Sequence, residues 1–597
     1  MDWIYPLILV AAVLVVFSVL TSLVAFRFGA PLLLVFLAIG LVAGEDGLGL
    51  ALDDMESVYL IGSVALAVIL FDSGFGTPLT TLRRAAAPAF VLASLGVLLT
   101  TLIAGVAARW LFDLPWFHAF LMGAIVSSTD AAAVFFLLRA GGVQIFKRVR
   151  SVLEVESGSN DPMAIFLVVL FIELILTGAD WQMLGPAFVR GFMMQLGMGL
   201  IIGLVAGFLI VELVNRVRLE EALYPIAVMA TALAVFGFVG QVGGSGFLAV
   251  YVAGVVAGNR RMTGSARLRR YQSGMTWLAQ IVMFVMLGLA ATPSEFVPIL
   301  LPALAFALFL AVVARPVAVL CCLRPFAVSR ASTAFTAWVG LRGAVSILLG
   351  ALPMVAGIEG GELFFNVAFI VVLASLLVQG WTITPLAGRL RLSIPPGSGP
   401  VDRIDIEVPG TIRHELVVYR VESGSEAATR ERLPRWAHPA MLVRNGRKRP
   451  FRPGDGLHAG DFVYVFCAPE YRRMLDRVFA HPADPFRWDG DILGWFRLEP
   501  TVRLGELLDA YGMSGFKERH DQGLDEFMAA ELDGQPVIGD RVALSSLRLV
   551  VRQIDRKGRI IEIGLVLEPE SESVQPETSM LASLLHWCHR HLLRFKG

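Results

Sequence analysis

The sequence predicts an all-α polytopic membrane domain followed by a small α+β cytoplasmic regulatory region. Three observations carry that prediction. In a chain of 597 residues that is 56% hydrophobic, long apolar runs succeed one another as far as about Arg391. Basic residues are confined to alternate loops between those runs. After Pro395 the composition becomes ordinary, charged and mixed.

A helix needs about 20 residues to cross the hydrocarbon core. The runs give thirteen candidates: 4–27, 31–44, 57–80, 87–108, 116–138, 151–177, 185–214, 222–240, 245–259, 275–292, 297–323, 331–355 and 364–388. The loops test this count. Alternate ones carry Arg27, then Arg83 and Arg84, then Arg139, Lys147, Arg148 and Arg150, then Arg216 and Arg218. Arg260, Arg261, Arg267, Arg269 and Arg270 follow, then Arg324 and Arg330, then Arg389 and Arg391. The intervening loops are nearly free of basic residues, and 45–56 holds Glu45, Asp46, Asp53, Asp54 and Glu56 instead. Cationic loops stay in the cytoplasm, so the N-terminus is expected outside, the C-terminus inside and the number of spans odd. The first run lacks a basic n-region and a small-residue cleavage site, and reads as a retained helix.

The formal net charge of zero says little, because its distribution carries the information. None of the five lysines, Lys147, Lys448, Lys517, Lys557 and Lys596, lies inside an apolar run. Cys321, Cys322, Cys467 and Cys588 have no metal-ligand spacing and read as small hydrophobes.

Polar groups at membrane depth are expensive, so they point to a pathway or a partner. Span five contains "SSTDAAA", with Thr129 and Asp130 near its centre. Span six carries "ESGSNDP", placing Ser157, Asn160 and Asp161 about 15 Å in from its basic end at 1.5 Å per residue. Span twelve has "VGLRGAVS", with Arg342 near its middle. Ser157 and Asp161 are four apart on one helix face, and Glu156 and Asn160 share the adjacent face. An arginine at this depth needs a counter-ion, and Glu156 is the expected partner of Arg342. Asp161 is then left as an unpaired carboxylate beside a hydroxyl, a group for which a dehydrated monovalent cation and a proton would compete. Small or polar interruptions suggest that spans five and twelve are broken helices whose half-helix dipoles are compensated by nearby charges. They are seven spans apart, hence oppositely oriented, as inverted repeats require. Asp72, in "ILFDSG", is a candidate for the access funnel or a structural group. Arg315, in "VARPVAV", is a lesser intramembrane charge, and His118 reads as an interfacial residue.

On these residues the chain resembles the monovalent cation:proton antiporter superfamily, specifically its electroneutral NhaP-type branch. The resemblance spans essentially the whole membrane domain, 1–395. Its pieces are "STD" at 128–130, "ESGSNDP" at 156–162, "GSGFLAVYVAGVVAGN" at 244–259 and "GLRGAVS" at 340–346. It implies a six-helix core and a dimerisation domain moving in an elevator-like cycle. Asp161 would bind cation and proton alternately. Ser157 and the backbone of Thr129 would be further ligands, with Asn160 beside them, Asp130 at the helix crossing, and Glu156 with Arg342 as a structural ion pair. The family's "TDP" reads Thr129-Asp130-Ala131 here. Electrogenic relatives have two adjacent aspartates and a membrane lysine; a neutral Asn160 and lysine-free spans make a one-for-one exchange the simpler account.

Beyond the membrane domain, 403–485 has strand-like runs "ELVVYRV", "AMLVRNG" and "DFVYVFC", punctuated by Asn445-Gly446 and Gly460-Asp461. This region resembles the C-terminal half of an RCK-type potassium-regulation domain (TrkA-C). Region 490–570 offers the amphipathic "TVRLGELLDAYG" and a hairpin turning at Asp555–Gly558, and is similar to the transporter-associated module that ends CorC-type proteins. Residues 571–597 read as a linker and an amphipathic helix for a partner subunit. RCK-type modules accompany potassium-handling proteins, and this tips the expected cation to potassium, with sodium second. The expectation is therefore a homodimeric potassium/proton antiporter of the cell inner membrane, serving cation, pH and cell-volume homeostasis. No enzyme activity, cofactor or nucleic-acid partner is expected, and a cytosolic regulatory ligand of unknown identity is.

Rival readings fare worse. A gated cation channel would want a carbonyl-lined filter or an acidic ring. An intramembrane aspartyl protease built on Asp130 and Asp161 would want a G-x-G-D signature, which is lacking. A sodium-coupled symporter would need groups to hold an organic substrate, and the midplane offers none.

Overall fold

A computed structural model describes residues 4–567 apart from short internal stretches, the longest being 395–401, 407–413, 480–495 and 512–518. The expected C-terminal helix at 571–597 lies outside the described residues. The chain forms two compact units, Met1–Pro396 and Gly397–Gly597.

The first unit is helical. Its segments are α1 (Ile4–Phe28), α2 (Leu32–Ala43), α3 (Met55–Gly76), α4 (Leu79–Val91) with α5 (Val97–Phe112), α6 (Trp116–Ile125) with α7 (Ala131–Ala140), and α8 (Lys147–Leu176). Next come α9 (Trp181–Gly191) with α10 (Met198–Arg216), α11 (Leu223–Gln241), α12 (Gly246–Gly258) and α13 (Ser265–Leu289). The last are α14 (Leu300–Phe309) with α15 (Arg315–Leu323), α16 (Arg330–Trp338) with α17 (Ala344–Val355), and α18 (Gly361–Arg389). π-helical turns at Leu92–Gly96, Phe192–Gly197 and Leu310–Ala314 join α4 to α5, α9 to α10 and α14 to α15. The described helices thus fall into thirteen successive segments at the expected places, and eight of these are continuous helices long and apolar enough to cross a bilayer.

The main differences lie at segment ends. α13 begins at Ser265 and α8 at Lys147, before the apolar runs that predicted them. Hydropathy marks the hydrocarbon-spanning part, whereas the helix continues through its basic first turns. Exposed Leu209, Phe208, Leu308 and Trp381 show the inverted surface of such a protein, with apolar groups outward.

Polar residues are buried instead at the centre, where α6/α7 and α16/α17 are interrupted. Between Ile125 and Ala131, and between Trp338 and Ala344, the backbone leaves the helix. The two interruptions meet: the Asp130 N–H donates to the Leu341 carbonyl at 2.8 Å. A Cβ at Gly343 would lie 2.6 Å from Asp130 Oδ2, so only glycine admits this approach. α8 passes beside the crossing and is buried through most of its length.

In the first unit a short antiparallel ladder joins β1 (Gln144–Ile145) to β2 (Ser393–Ile394), and the second unit holds two antiparallel sheets. β3 (Asp402–Ile406), β4 (His414–Arg420), β5 (His438–Arg444), β6 (Arg447–Pro450) and β7 (Phe462–Cys467) form a five-stranded sheet of order β3-β4-β7-β5-β6. One face packs Val417, Tyr419, Val463 and Val465 with Leu475 and Phe479 of α19 (Arg472–Phe479). The other sheet, β8 (Phe496–Leu498), β11 (Ile560–Leu567), β10 (Leu547–Ile554) and β9 (Arg541–Leu544), is covered by α20 (Leu504–Ala510) and α21 (Leu524–Glu531). The β10–β11 hairpin turns through Asp555–Gly558, with Gly558 at φ 84°.

Candidate ion-binding site

The crossing leaves half-helix ends facing one another, and their unpaired backbone groups organise the site. α6 ends in carbonyls, and the Arg342 guanidinium donates to two of them, Ser127 O and Ser128 O, each at 2.6 Å. Positive charge thus sits at the negative end of a helix dipole. α7 starts with N–H groups that have no acceptor within the helix. The Asp130 carboxylate, at its N-cap, accepts from Ala133 N–H at 3.1 Å and lies against Gly343, the N-cap of α17. Negative charge thus sits between two positive helix ends. Ser375 Oγ accepts from Arg342 N–H at 3.1 Å, and Gln379 holds that serine, which fixes the α16/α17 interruption to α18.

α8 brings the remaining groups. Ser128 Oγ donates to Asp161 Oδ1 in a short hydrogen bond. The Asn160 side-chain amide donates to Thr129 Oγ1 at 2.6 Å. Ser157 Oγ donates to the Thr129 carbonyl and accepts from Ala131 N–H, both at 3.0 Å. Pro162 lies inside α8 and has no N–H, so the Gly158 carbonyl one turn before it lacks its i+4 donor. Asp161, Ser128, Thr129, Ser157 and the Gly158 backbone therefore present oxygens at one place.

These residues border a cavity of about 260 Å³ that also touches Asp72, Glu154, Thr276 and Gln280. The cavity reaches Gly76 at the C-terminal end of α3 and Glu154 two turns into α8, and is walled by the middle of α13 from Thr276 to Phe284. Asp72 accepts from Thr276 Oγ1 at 2.9 Å on its wall. A second cavity of about 200 Å³, lined by Glu45, Glu295, Glu362 and Asn366, lies at the opposite helix ends.

One expected pairing is corrected. Glu156 does not pair with Arg342: its Oε1 lies 2.5 Å from Arg315 Nη2, with both side chains buried. Sequence fixes the depth of a group but not its direction around the helix. The Glu156 face of α8 meets α15, whereas Arg342 reaches past α8 to the α6 carbonyls. Two participants, Ser128 and Glu154, escaped the sequence reading, and Arg315 was placed there only as a lesser charge without a partner. Ser128 is the neighbour of Thr129 in "SSTD", Glu154 stands one α8 turn before Gly158, and Arg315 is a second arginine in an apolar run at matching depth.

Residues 12–389 match the family described as sodium/hydrogen exchanger, transmembrane. The chain belongs to this exchanger family. The exchanger is 40% identical over 579 residues to the K(+)/H(+) antiporter NhaP2 of Shewanella sp. (strain MR-4), covering 96% of this chain and 100% of the relative. It is 38% identical to the K(+)/H(+) antiporter NhaP of Alkalimonas amylolytica, covering 94% and 98%. Its fold matches the sodium proton antiporter MjNhaP1 of Methanocaldococcus jannaschii with a TM-score of 0.58 at 21% identity, over 65% of this chain and 99% of that one. The exchanger is thus a multi-pass membrane protein with an NhaP-like helical fold, a monovalent cation/proton antiporter by family.

Proposed function

We propose that this exchanger moves one potassium ion against one proton, both using the Asp161 carboxylate in turn. The carrying observation is the position of Asp161: buried at the crossing of two broken helices, among hydroxyl and carbonyl oxygens, at the end of a cavity. A carboxylate in that setting holds either a dehydrated cation or a proton, and one such site gives one-for-one, electroneutral exchange. Thr129, Ser157 and Ser128 complete the cation's oxygen shell, while Asn160 orients Thr129. Asp130 and Arg342 hold the crossing, and Asp72 lines the access funnel. Full-length relatives named K(+)/H(+) antiporters support potassium over sodium. The cavity reaches the C-terminal end of α3, just ahead of Arg83 and Arg84, which fits a site open to the cytoplasm. Elevator-like movement, a homodimer and residence in the cell inner membrane with the N-terminus outside complete the reading.

The five-stranded sheet with α19 is assigned as the RCK-C-like regulatory module, and the four-stranded sheet with α20 and α21 as the CorC-like one. Both would act in the cytosol on an unidentified ligand.

The test is cation-driven proton exchange in proteoliposomes, comparing potassium with sodium and native protein with Asp161→Asn, at clamped and released membrane potential. Exchange that is abolished by the substitution and indifferent to potential supports the reading. Flux that persists in the variant, or follows the potential, refutes the site or the stoichiometry.

A further inference from the structure

A second buried polar cluster lies at the crossing, around a cavity that borders none of the proposed cation ligands. A cavity of about 120 Å³ is bordered by Arg315 and Arg342, by Ser375 and Gln379, and by Leu308, Val312 and Val378. Its two arginines are almost fully buried, at 3% and 2% exposure. Each retains a nitrogen without a hydrogen-bond partner, Nε of Arg315 and one terminal nitrogen of Arg342. Arg315 has Glu156 as its counter-ion, but Arg342 makes no ion pair with any described residue and is held by two carbonyls. A buried guanidinium without a carboxylate is costly, and donors left idle in low dielectric add to the cost.

The cavity's outer rim identifies what reaches it. Leu308, Val312 and Val378 are 63%, 52% and 56% exposed on an apolar surface of membrane-spanning helices, so the mouth faces acyl chains. Arg315 lies nine residues from Arg324 at the basic end of its segment, about 14 Å in at 1.5 Å per residue. The π-helical turn Leu310–Ala314 shapes this wall immediately before Arg315, and such turns recur at functional sites.

We propose that this cavity binds a single-chain lipophilic carboxylate, a long-chain fatty acid, with its head on Arg315 and Arg342 and its chain leaving over Leu308 and Val312 toward the lipid. A carboxylate matches the fork of guanidinium N–H donors. A single chain can follow its carboxylate head through the lipid-facing mouth, whereas a two-chain phospholipid keeps its head at the interface. Bound there, it supplies the counter-charge that Arg342 lacks and tightens the hold of Arg342 on Ser127 and Ser128, which stiffens the broken helices. The proposal rests on the depth and surroundings of the arginines and is independent of which cation is exchanged. Because the test reads binding without transport, its failure is distinguishable from failure of the exchange reading.

Trp338 borders the cavity and is one of 11 tryptophans. Its share of the fluorescence is the difference between native protein and Trp338→Phe. Full-length reconstituted protein is titrated with a chain-brominated fatty acid, with its methyl ester, and with a brominated phosphatidic acid. The expected result is saturable quenching of the Trp338 share by the acid at a concentration at least about tenfold below that needed by the ester, as charge-assisted hydrogen bonds imply. Ala311→Phe and Ala374→Leu, which fill the cavity while leaving both arginines in place, remove this quenching and keep cation-driven proton exchange. Equal quenching by acid and ester, quenching that survives both fillings, or quenching by phosphatidic acid alone overturns the proposal. Should Trp338→Phe not fold, native mass spectrometry of acid retained by the detergent-solubilised protein, native against Ala374→Leu, gives the same decision: equal retention overturns it.

Discussion

Ser157 Oγ accepts a hydrogen bond from the Ala131 N–H and donates one to the Thr129 carbonyl, each at 3.0 Å. The departure of "TDA" from the family's "TDP" therefore has a physical consequence, since a proline could not make the first of these bonds. Residue 131 follows the Asp130 N-cap, the helix position that best tolerates proline. Ala131→Pro should fold normally and return a lone pair of Ser157 to the cation, lowering the cation KM about twofold to fivefold, on the scale of one hydrogen bond. Ser157→Ala should raise that KM by a similar factor with exchange retained. The two opposite shifts, read from exchange rates against cation concentration, check the assignment; shifts of the same sign would defeat it.

Much of this site was legible because membrane helices announce their span, and a charge within a span has to be explained. Depth singles out Asp161, Ser157, Asn160, Thr129, Asp130 and Arg342, spacing adds the shared faces of α8, and the fold brings these residues together at the crossing. Contacts between segments were not legible. The Glu156–Arg315 pair joins residues 159 apart in the chain, and neither spacing nor depth selects it over Glu156–Arg342. Both breaks were signalled by small and polar residues, but that they cross at Asp130 and Leu341 is a tertiary fact. In the second unit, alternating strand patterns and glycine turns located β4, β5, β7 and the β10–β11 hairpin, while the sheet order had no sequence signal.

The Glu156–Arg315 pair yields a stability prediction. Removing one partner strands the other as a buried charge, which costs about 3–5 kcal/mol, whereas replacing both with apolar groups of similar volume is often close to neutral. Glu156→Gln and Arg315→Met should each lower the thermal midpoint of the detergent-solubilised protein sharply, and Glu156→Leu/Arg315→Met should recover most of the loss. A double-mutant cycle should find strong coupling between Glu156 and Arg315 and weaker coupling between Glu156 and Arg342. The reverse order would restore the pairing expected from sequence.

In the second unit, Asp461 is held at the start of β7. Burial alone would raise its pKa, but Arg444, donating at 2.9 and 2.7 Å, and the His458 N–H at 2.8 Å outweigh it and hold the carboxyl below its usual value. A depressed pKa adds stability that is fully present above the unfolded value of about 3.9 and is lost as pH falls through the folded value. Hydrogen-exchange protection of β5 and β7 in the full chain, corrected for intrinsic rates, should be flat from neutral pH to about 5 and decline below about 4. Asp461→Asn should cost about 1.5–3 kcal/mol near neutrality and remove the acid decline. A decline already present between pH 7 and 6 would point to groups other than Asp461.

Gly343 tests whether the crossing is a packed, fixed element. A Cβ there would meet Asp130 Oδ2 at 2.6 Å and Asp130 Cβ at 2.8 Å, closer than real Cβ contacts come. Gly343→Ala must push the two interruptions apart, at an overpacking cost of about 1–3 kcal/mol. That displacement falls on the Asp130 N–H to Leu341 carbonyl bond and, through residue 342, on the grip of Arg342 on Ser127 and Ser128. The neighbouring Ser128 hydroxyl would then leave Asp161, and exchange should fall at least about tenfold, the rate equivalent of 1.4 kcal/mol, while the protein still folds. Gly388→Ala is the control, since nothing lies within 4 Å of its added methyl group. Equal exchange by both variants would mean that the crossing yields without disturbing Asp161. Loss confined to Gly343→Ala would tie the close approach of Asp130 and Gly343 directly to ion exchange.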